Sequence, residues 1–377
     1  MRFLLLLACA RLCRGRLPLA ANAACRSPLT WPFISESVWN TPLGSDARFG
    51  FTGLYPQDDG PNLKPNCAPF SLGVDEMVFL PATAADPLVP WYNQGHWGPP
   101  KTPEAYCAVT GELVRSLHVP ENFTSTNYGG NNPVALLQPD GESVLLVQPV
   151  YRCGPGSPFL ARKPGTVVNI VTEDGNLGGH GGSGLSGLGG ALRLGEMLPG
   201  APPIAHAIQL EFFAHLFYYR PPSGNRSECF TWPATQCDGY VFANCSADPG
   251  CYGGTNPLMV PGALLAIPSG HVAAVNASLT TTPARRLLDV LSRFGGYVVD
   301  DTFWNASAIT AEVGVAVEFK EAYGFDMATT ANVEGAGVAW YKDFVALMRA
   351  LYVVTNNRPD TQGGGGTPLA PPPPPFC

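Results

Sequence analysis

Glycine and proline punctuate this chain too often for long helices: 43 Gly and 39 Pro make up more than a fifth of its 377 residues. Each glycine loosens the backbone and each proline removes a hydrogen-bond donor, so regular elements must be short and joined by turns. Hydrophobic residues still reach 45% and aromatic ones 10%, which supplies enough apolar surface to offset the entropy of ordering and excludes a disordered chain. Charged residues make up only 14%, with a formal net charge of −7. That balance lacks the basic footprint that nucleic acid or an anionic membrane surface demands. The composition predicts a mainly β fold, a β-sandwich or jelly roll with a few peripheral helices.

Met1-Arg2, the apolar run Phe3 to Ala10 and the small-x-small signal Ala21-Asn22-Ala23 predict a secretory signal peptide over residues 1–23. Arg11, Arg14 and Arg16 interrupt it, as they would in an organellar transit peptide. No later segment holds eighteen uninterrupted apolar residues, so no membrane span is expected after the leader. The cysteines beyond the leader are expected to pair as disulfides in an oxidising compartment. Cys229, Cys237, Cys245 and Cys251 are spaced too widely for the usual structural zinc pairs. Cys25, Cys67, Cys107 and Cys153 can supply two further bridges, which leaves Cys377 over. Sequons at Asn122, Asn225, Asn244, Asn276 and Asn305 point the same way, to a secreted glycoprotein of the extracellular space or cell wall. The expected organisation is the leader, one β-rich domain over 24–362, and a Gly/Pro-rich tail over 363–377 that packs no core.

Short β-branched runs predict strands at Ser143 to Tyr151 and Thr166 to Thr172, each following a turn dipeptide, and similar runs lie at Ile204 to Tyr219 and Gly262 to Ile267. Two segments carry helical periodicity. From Thr282, a cap before Pro283, the residues Leu287, Leu288, Leu291 and Phe294 form one face that Gly295-Gly296 stops. Phe344, Val345, Leu347, Met348 and Leu351 repeat the pattern.

The most distinctive segment is the glycine-rich run Gly178 to Gly190 with Arg193-Leu-Gly-Glu196 after it. It holds a literal G-x-G-x-x-G at Gly182, Gly184 and Gly187 but lacks the βαβ alternation of a dinucleotide fold and the Lys-Ser/Thr of a P-loop. Ser183 and Ser186 lack the glycine two residues on that a nucleophile elbow needs. His-Glu-x-x-His is absent, so no cofactor or metal is called for. The run reads as a tight loop whose glycines let the backbone approach a neighbour closely.

Ionisable residues stand out in a chain so poor in charge, because burying one is costly without a partner. Glu196 with Asp300 or Asp301 supplies the two carboxyls that glycoside hydrolysis takes. His180 or His206 with Arg193 and Tyr297 supplies the base and neutralising group of a lyase. Ser183 and Asp238 complete a cleft against the glycine-rich run. Each has a plainer role available: His206 as a hydrogen-bonded core histidine, Arg193 and Glu196 as an i, i+3 ion pair, Asp300-Asp301 as a turn cap or calcium ligand.

His180 to Ser186, Gly189-Gly190, Arg193 to Glu196, His206-Ala207, Trp232-Pro-Ala234, Asp238-Gly239, Gly296 to Thr302, Asn356-Asn357 and Gly363 to Pro368 together resemble a family of secreted proteins of bacteria and algae. The resemblance begins near Trp39-Asn-Thr-Pro-Leu43 and covers nearly all of the mature chain. It implies one integrated unit ending in the Gly-rich tail, and a β-sandwich of the kind that acts on polysaccharides. The cysteines between Cys229 and Cys251 and the five prolines near the end depart from that pattern, and a proline-rich end also suits a matrix glycoprotein. The expectation is a secreted carbohydrate-active enzyme, hydrolase or lyase, with polysaccharide as its partner; the alternative is a non-catalytic matrix or glycan-binding protein. Glu196, His206 and Asp300 meeting in one groove would favour the enzyme, and scattered or fully paired side chains the binding protein.

Overall fold

The computed structural model describes residues 25–54, 71–95, 102–127, 130–162, 164–179, 181–248 and 250–377. The expected leader, Cys67 and His180 lie outside the described residues. The strands are β1 (Phe49–Phe51), β2 (Leu72–Pro81), β3 (Leu88–Asn93), β4 (Leu113–His118), β5 (Val134–Leu137), β6 (Ser143–Val147) and β7 (Val150–Tyr151). After them come β8 (Phe159–Ala161), β9 (Thr166–Asn169), β10 (Ile208–Phe212), β11 (Leu264–Ala266), β12 (Gly296–Asp301), β13 (Ser307–Glu312) and β14 (Tyr352–Val354). The helices are α1 (Pro103–Cys107), α2 (Ala214–Phe217), α3 (Ser269–Ser278), α4 (Thr282–Arg293), α5 (Val315–Tyr323) and α6 (Gly337–Arg349).

The fold is mainly β, with its strands in two sheets. The larger runs in the order β1-β14-β11-β12-β10-β13-β2-β5-β6-β9 and the smaller in the order β4-β3-β8-β7. Val89 and Trp91 of β3, Leu117 of β4 and Phe159 of β8 form one apolar cluster with Val134 and Leu136 of β5 and Leu145 and Val147 of β6. That is the sandwich contact: the small sheet covers the β5–β6 end of the large one. Toward the other end the core draws instead on α4 and α6, through Leu287, Leu291, Phe344 and Leu347, all fully buried.

The predicted strand Ser143 to Tyr151 is two strands. It breaks at Gln148-Pro149, because Pro149 has no N–H to donate to a ladder, and β6 and β7 go to different sheets. The helix predicted from Thr282 starts there, with Thr281 rather than Thr282 as its N-cap residue. The carboxylate of Asp343 on α6 accepts the N–H groups of Thr280 and Thr281, at 2.9 and 2.6 Å, and so ties the two helices together.

The C-terminal tail is not a free appendage. Cys377 is bonded to Cys25, Arg26 Nε donates to Pro374 O at 2.8 Å, and Ala370 is buried. Gly363 and Gly364, at φ 65° and 90°, lie against the backbone of Pro42 and Ala47, where a Cβ would fall within 2.2 and 2.6 Å of backbone atoms. Asn356 accepts the Arg48 N–H and donates to Gly364 O, both at 2.8 Å. The expectation that the tail packs no core, with Cys377 unpaired, is therefore corrected: it straps the N-terminal segment down. The other bridges are Cys107–Cys153, Cys229–Cys237 and Cys245–Cys251. Among the described residues no helix is long and apolar enough to cross a membrane.

Candidate functional site

β10 carries the ionisable residues apart. His206 precedes this strand, while Glu211 near its other end is the register partner of Asp300 on the parallel strand β12. Five residues of extended chain put the two ends about 16 Å apart. The residues expected to meet in one groove therefore fall into two clusters.

At the His206 end, Glu196 and His206 form a buried ion pair, Nε2 to Oε1 3.0 Å, and Nδ1 lies 2.9 Å from Ala207 O. Both ring nitrogens face acceptors, which is the environment of an imidazolium. Burial works against that charge, but the Glu196 carboxylate outweighs it and raises the His206 pKa. Arg193 Nε donates to Glu312 Oε2 at 2.8 Å, its guanidinium sits over the Phe79 ring, and its N–H donates to Glu196 Oε2 at 2.7 Å. The Arg193-Leu-Gly-Glu196 string thus folds back on itself and adds a partner from β13. Glu318 accepts the Gly195 N–H at 2.6 Å, and burial raises its carboxyl to about 7. Beside His206 a crevice lined by Trp31, Trp39, Asn40, Gly189 and Gly190 holds about 10 Å³, room for one water and not a sugar.

At the other end the glycine-rich loop closes over three aspartates. A β-bulge at Val299 shifts the β10–β12 register between Leu210 and Glu211, which re-aims the residues after it. The freed Val299 carbonyl accepts the Ser183 N–H at 3.1 Å. Asp300 Oδ1 accepts the N–H of Gly182 at 2.9 Å and of Asp301 at 2.8 Å. A Cβ on Gly182 would fall 2.2 Å from Asp238 Oδ2, and one on Gly181 would fall 2.3 Å from Asp300 Cγ, so only glycine admits both carboxyls. Through Gly182, these contacts bound the separation of the Asp238 and Asp300 carboxylate oxygens at under about 8 Å. The sequence expectation of close backbone approach finds its partners here: two carboxyls.

Tyrosines complete this cluster. Tyr252 donates to Asp238 Oδ2 at 2.8 Å and accepts the Asp238 N–H at 3.3 Å. Tyr240 donates to Asp301 Oδ2 at 3.4 Å, and Tyr218 donates to the Asp300 carbonyl. Burial, reinforced by the neighbouring aspartates, holds all three hydroxyls far above the ordinary tyrosine range, so they stay protonated donors. Burial also raises the Asp238 carboxyl, against the pull of its hydrogen bonds to Tyr252 and Tyr240, and lifts Asp301 to about 7. Asp301 Oδ1 accepts the N–H groups of Ala214 and Phe303, each at 2.9 Å. It caps the turn, as one reading of the pair expected, and steadies Phe303 in the left-handed region at φ 59°, a costly conformation for a bulky residue. Phe303 and Trp304 project from this turn, 49% and 62% exposed, and Tyr240 meets Phe303 edge-on.

Of the other expected site residues, Ser183 is fully buried, its Oγ accepting the Leu185 N–H at 3.1 Å. Tyr297 lies in the core, edge-on to Trp39 at 5.5 Å. Neither side chain reaches a surface. Tyr218, Tyr240, Tyr252, Phe303 and Trp304 were not singled out from sequence; the signals available were Tyr240 two residues after Asp238 and two aromatics directly after Asp-Asp-Thr. His215, Cys245 and Cys251 offer metal-ligating atoms within 4.8 Å of one another, but the two sulfurs are bonded to each other. Comparisons with protein-family models, curated proteins and solved structures return no match to this chain.

Proposed function

We propose that this chain is a secreted carbohydrate-active enzyme that hydrolyses extracellular polysaccharide, with Asp238 and Asp300 as its carboxyl pair. The observation that carries the reading is the position of these two carboxyls on either side of Gly182, their oxygens no more than about 8 Å apart, a bound compatible with the roughly 5–9.5 Å that retaining and inverting glycosidases span. Asp238, half-buried with its carboxyl raised by burial, is the proton donor to the leaving oxygen. Asp300, with Oδ1 anchored by two backbone N–H groups, is the base or nucleophile. Phe303 and Trp304 offer apolar faces on which a sugar ring stacks. Hydrolysis is preferred over elimination because His206 and Arg193, two of the groups expected of a lyase, are engaged in the buried network with Glu196 and Glu312, and Tyr297 lies in the core; His180 lies outside the described residues.

A second reading, a glycan-binding protein without catalysis, draws on the same exposed aromatics and on the pairing of Glu196 with His206 away from Asp300. Incubation of the purified protein with neutral and uronate polysaccharides separates the two. New reducing ends, lost in Asp300→Asn with folding intact, are expected. Ultraviolet absorbance from new double bonds would reverse the preference for hydrolysis, and retention on immobilised glycan without any product would leave the binding protein.

A further inference from the structure

Two disulfides close short loops beside the aspartate cluster, Cys229–Cys237 across 8 residues and Cys245–Cys251 across 6. Their sulfurs meet different groups, although the Arg226 guanidinium donates to the Cys237 carbonyl at 2.8 Å. The Arg226 carbonyl oxygen faces both sulfurs of the first, 2.9 Å from Cys229 Sγ and 4.0 Å from Cys237 Sγ. In the second, Arg220 Nη1 donates to Cys245 Sγ at 3.5 Å, and His215 Nδ1 stands 3.3 Å from Cys251 Sγ. The Tyr252 carbonyl, 3.6 Å from Cys245 Sγ, is an opposing dipole but a neutral one. Both nitrogen groups are held in place: the guanidinium also donates to Ala243 O and Phe242 O at 2.8 and 3.0 Å, and the imidazole stacks on Phe213.

A disulfide opens through a thiolate leaving group, and the step quickens as that thiolate is stabilised. A carbonyl oxygen opposes a developing thiolate; a guanidinium and an imidazole N–H favour one. We propose that Cys245–Cys251 is a thiol-reactive redox site, opened by low-molecular-weight thiols ahead of the other bridges. Cys245 is the half-exposed partner and Cys251 the buried one, so the incoming thiolate attacks Cys245 Sγ. A mixed disulfide forms there, the Cys245–Cys251 bond breaks, and its electron pair leaves on Cys251 Sγ, a thiolate that accepts the His215 N–H and then takes a proton from water. A second thiolate then attacks the sulfur of the bound small molecule, releases it as a symmetric disulfide, and leaves Cys245 as a thiolate beside Arg220. In sum, two small thiolates are oxidised to one disulfide, and one protein disulfide, with one proton from water, is reduced to a thiol at Cys251 and a thiolate at Cys245. Tyr252, the next residue after Cys251, donates to Asp238, so the opened bridge adjoins the aspartate cluster; its opening does not depend on what that cluster does.

The test is native-state alkylation after exposure of the fully oxidised protein to graded reduced glutathione near neutral pH, with thiols mapped by mass spectrometry. Cys245 and Cys251 are expected to be labelled about ten-fold faster than Cys229 and Cys237, and faster than Cys25 and Cys377 although Cys377 is exposed. His215→Ala and Arg220→Gln are each expected to slow that labelling about ten-fold. Should Arg220→Gln fail to fold for want of its loop contacts, His215→Ala decides alone. Labelling no faster than at the other bridges, or a rate that His215→Ala leaves unchanged, overturns the proposal.

Discussion

The two ends of β10 bury ionisable groups in opposite ways. Around His206 two buried acids each have a base: Glu196 meets the imidazole and Glu312 meets Arg193, beside a crevice no larger than a water. Around Asp300, three aspartates are held by tyrosine hydroxyls and backbone N–H groups under a loop that only glycine can form, next to exposed aromatics. The first arrangement resembles a structural ion network. The second raises the Asp238 carboxyl and lifts Asp301 to about 7, the kind of perturbation that clusters at functional sites. Perturbation alone does not mark function, since Glu318 is raised as well; the proposal rests on the paired geometry of Asp238 and Asp300 beside the exposed Phe303 and Trp304.

The comparison can be broken at either end, and the largest effect is expected at the first. Arg193→Met takes the guanidinium from the buried Glu312 carboxylate and should cost about 3–5 kcal/mol in urea unfolding; a loss under 1 kcal/mol would mean that the network is not structural. Gly182→Ala sets a methyl 2.2 Å from the Asp238 carboxylate and should cost about 1–3 kcal/mol while abolishing any product release.

The pH dependence of stability separates Asp301 from His206 by window. Asp301 rises from 3.8 unfolded to about 7 folded, so between those values the folded state keeps a proton that the unfolded chain has released. Its stabilisation is complete below about pH 4, declines by up to about 1.4 kcal/mol per pH unit, and is gone above about pH 7. Asp301→Asn keeps the acceptor oxygen and should remove that part of the slope. The raised folded pKa of His206 adds a loss that begins near its unfolded value of about 6.5 and continues as pH rises; His206→Gln should flatten only that upper window. Chemical denaturation across pH, with both variants, reads the two separately. The smallest stability effect is expected at Phe303→Gly, where relief of the left-handed backbone offsets the lost ring contact. Stability should change by less than about 1 kcal/mol, yet retention on the substrate polysaccharide should fall.

Local pattern explains what the sequence made legible. The helix from Thr282 and that around Phe344 were readable because apolar residues recur at helical spacing and glycine stops the first. β9 was readable from a β-branched run and β11 from a short apolar run, each following a turn. Non-local pairing was not readable. Nothing near Asp300 in sequence announces that β12 lies parallel to β10 with a bulge at Val299, or that the loop of Gly182 folds onto it across 118 residues. The same holds for the C-terminal strap, whose glycines and prolines read locally as a flexible stretch and a stiff one until Asn356, Cys25 and the N-terminal backbone supply their partners. Glu196, His206, Asp238 and Asp300 stand out in sequence as ionisable residues in a charge-poor chain. Their grouping depended on which end of β10 each one reached.

Parallel measurement of Glu196→Gln and Asp238→Asn tests the division of labour most directly, with urea unfolding and product release read on the same preparations. Glu196→Gln is expected to be destabilised and to retain its turnover per folded molecule; Asp238→Asn is expected to fold with near-native stability and to release no product. An active Asp238→Asn beside a stable, inactive Glu196→Gln would contradict the account and return the chemistry to the His206 end of the strand.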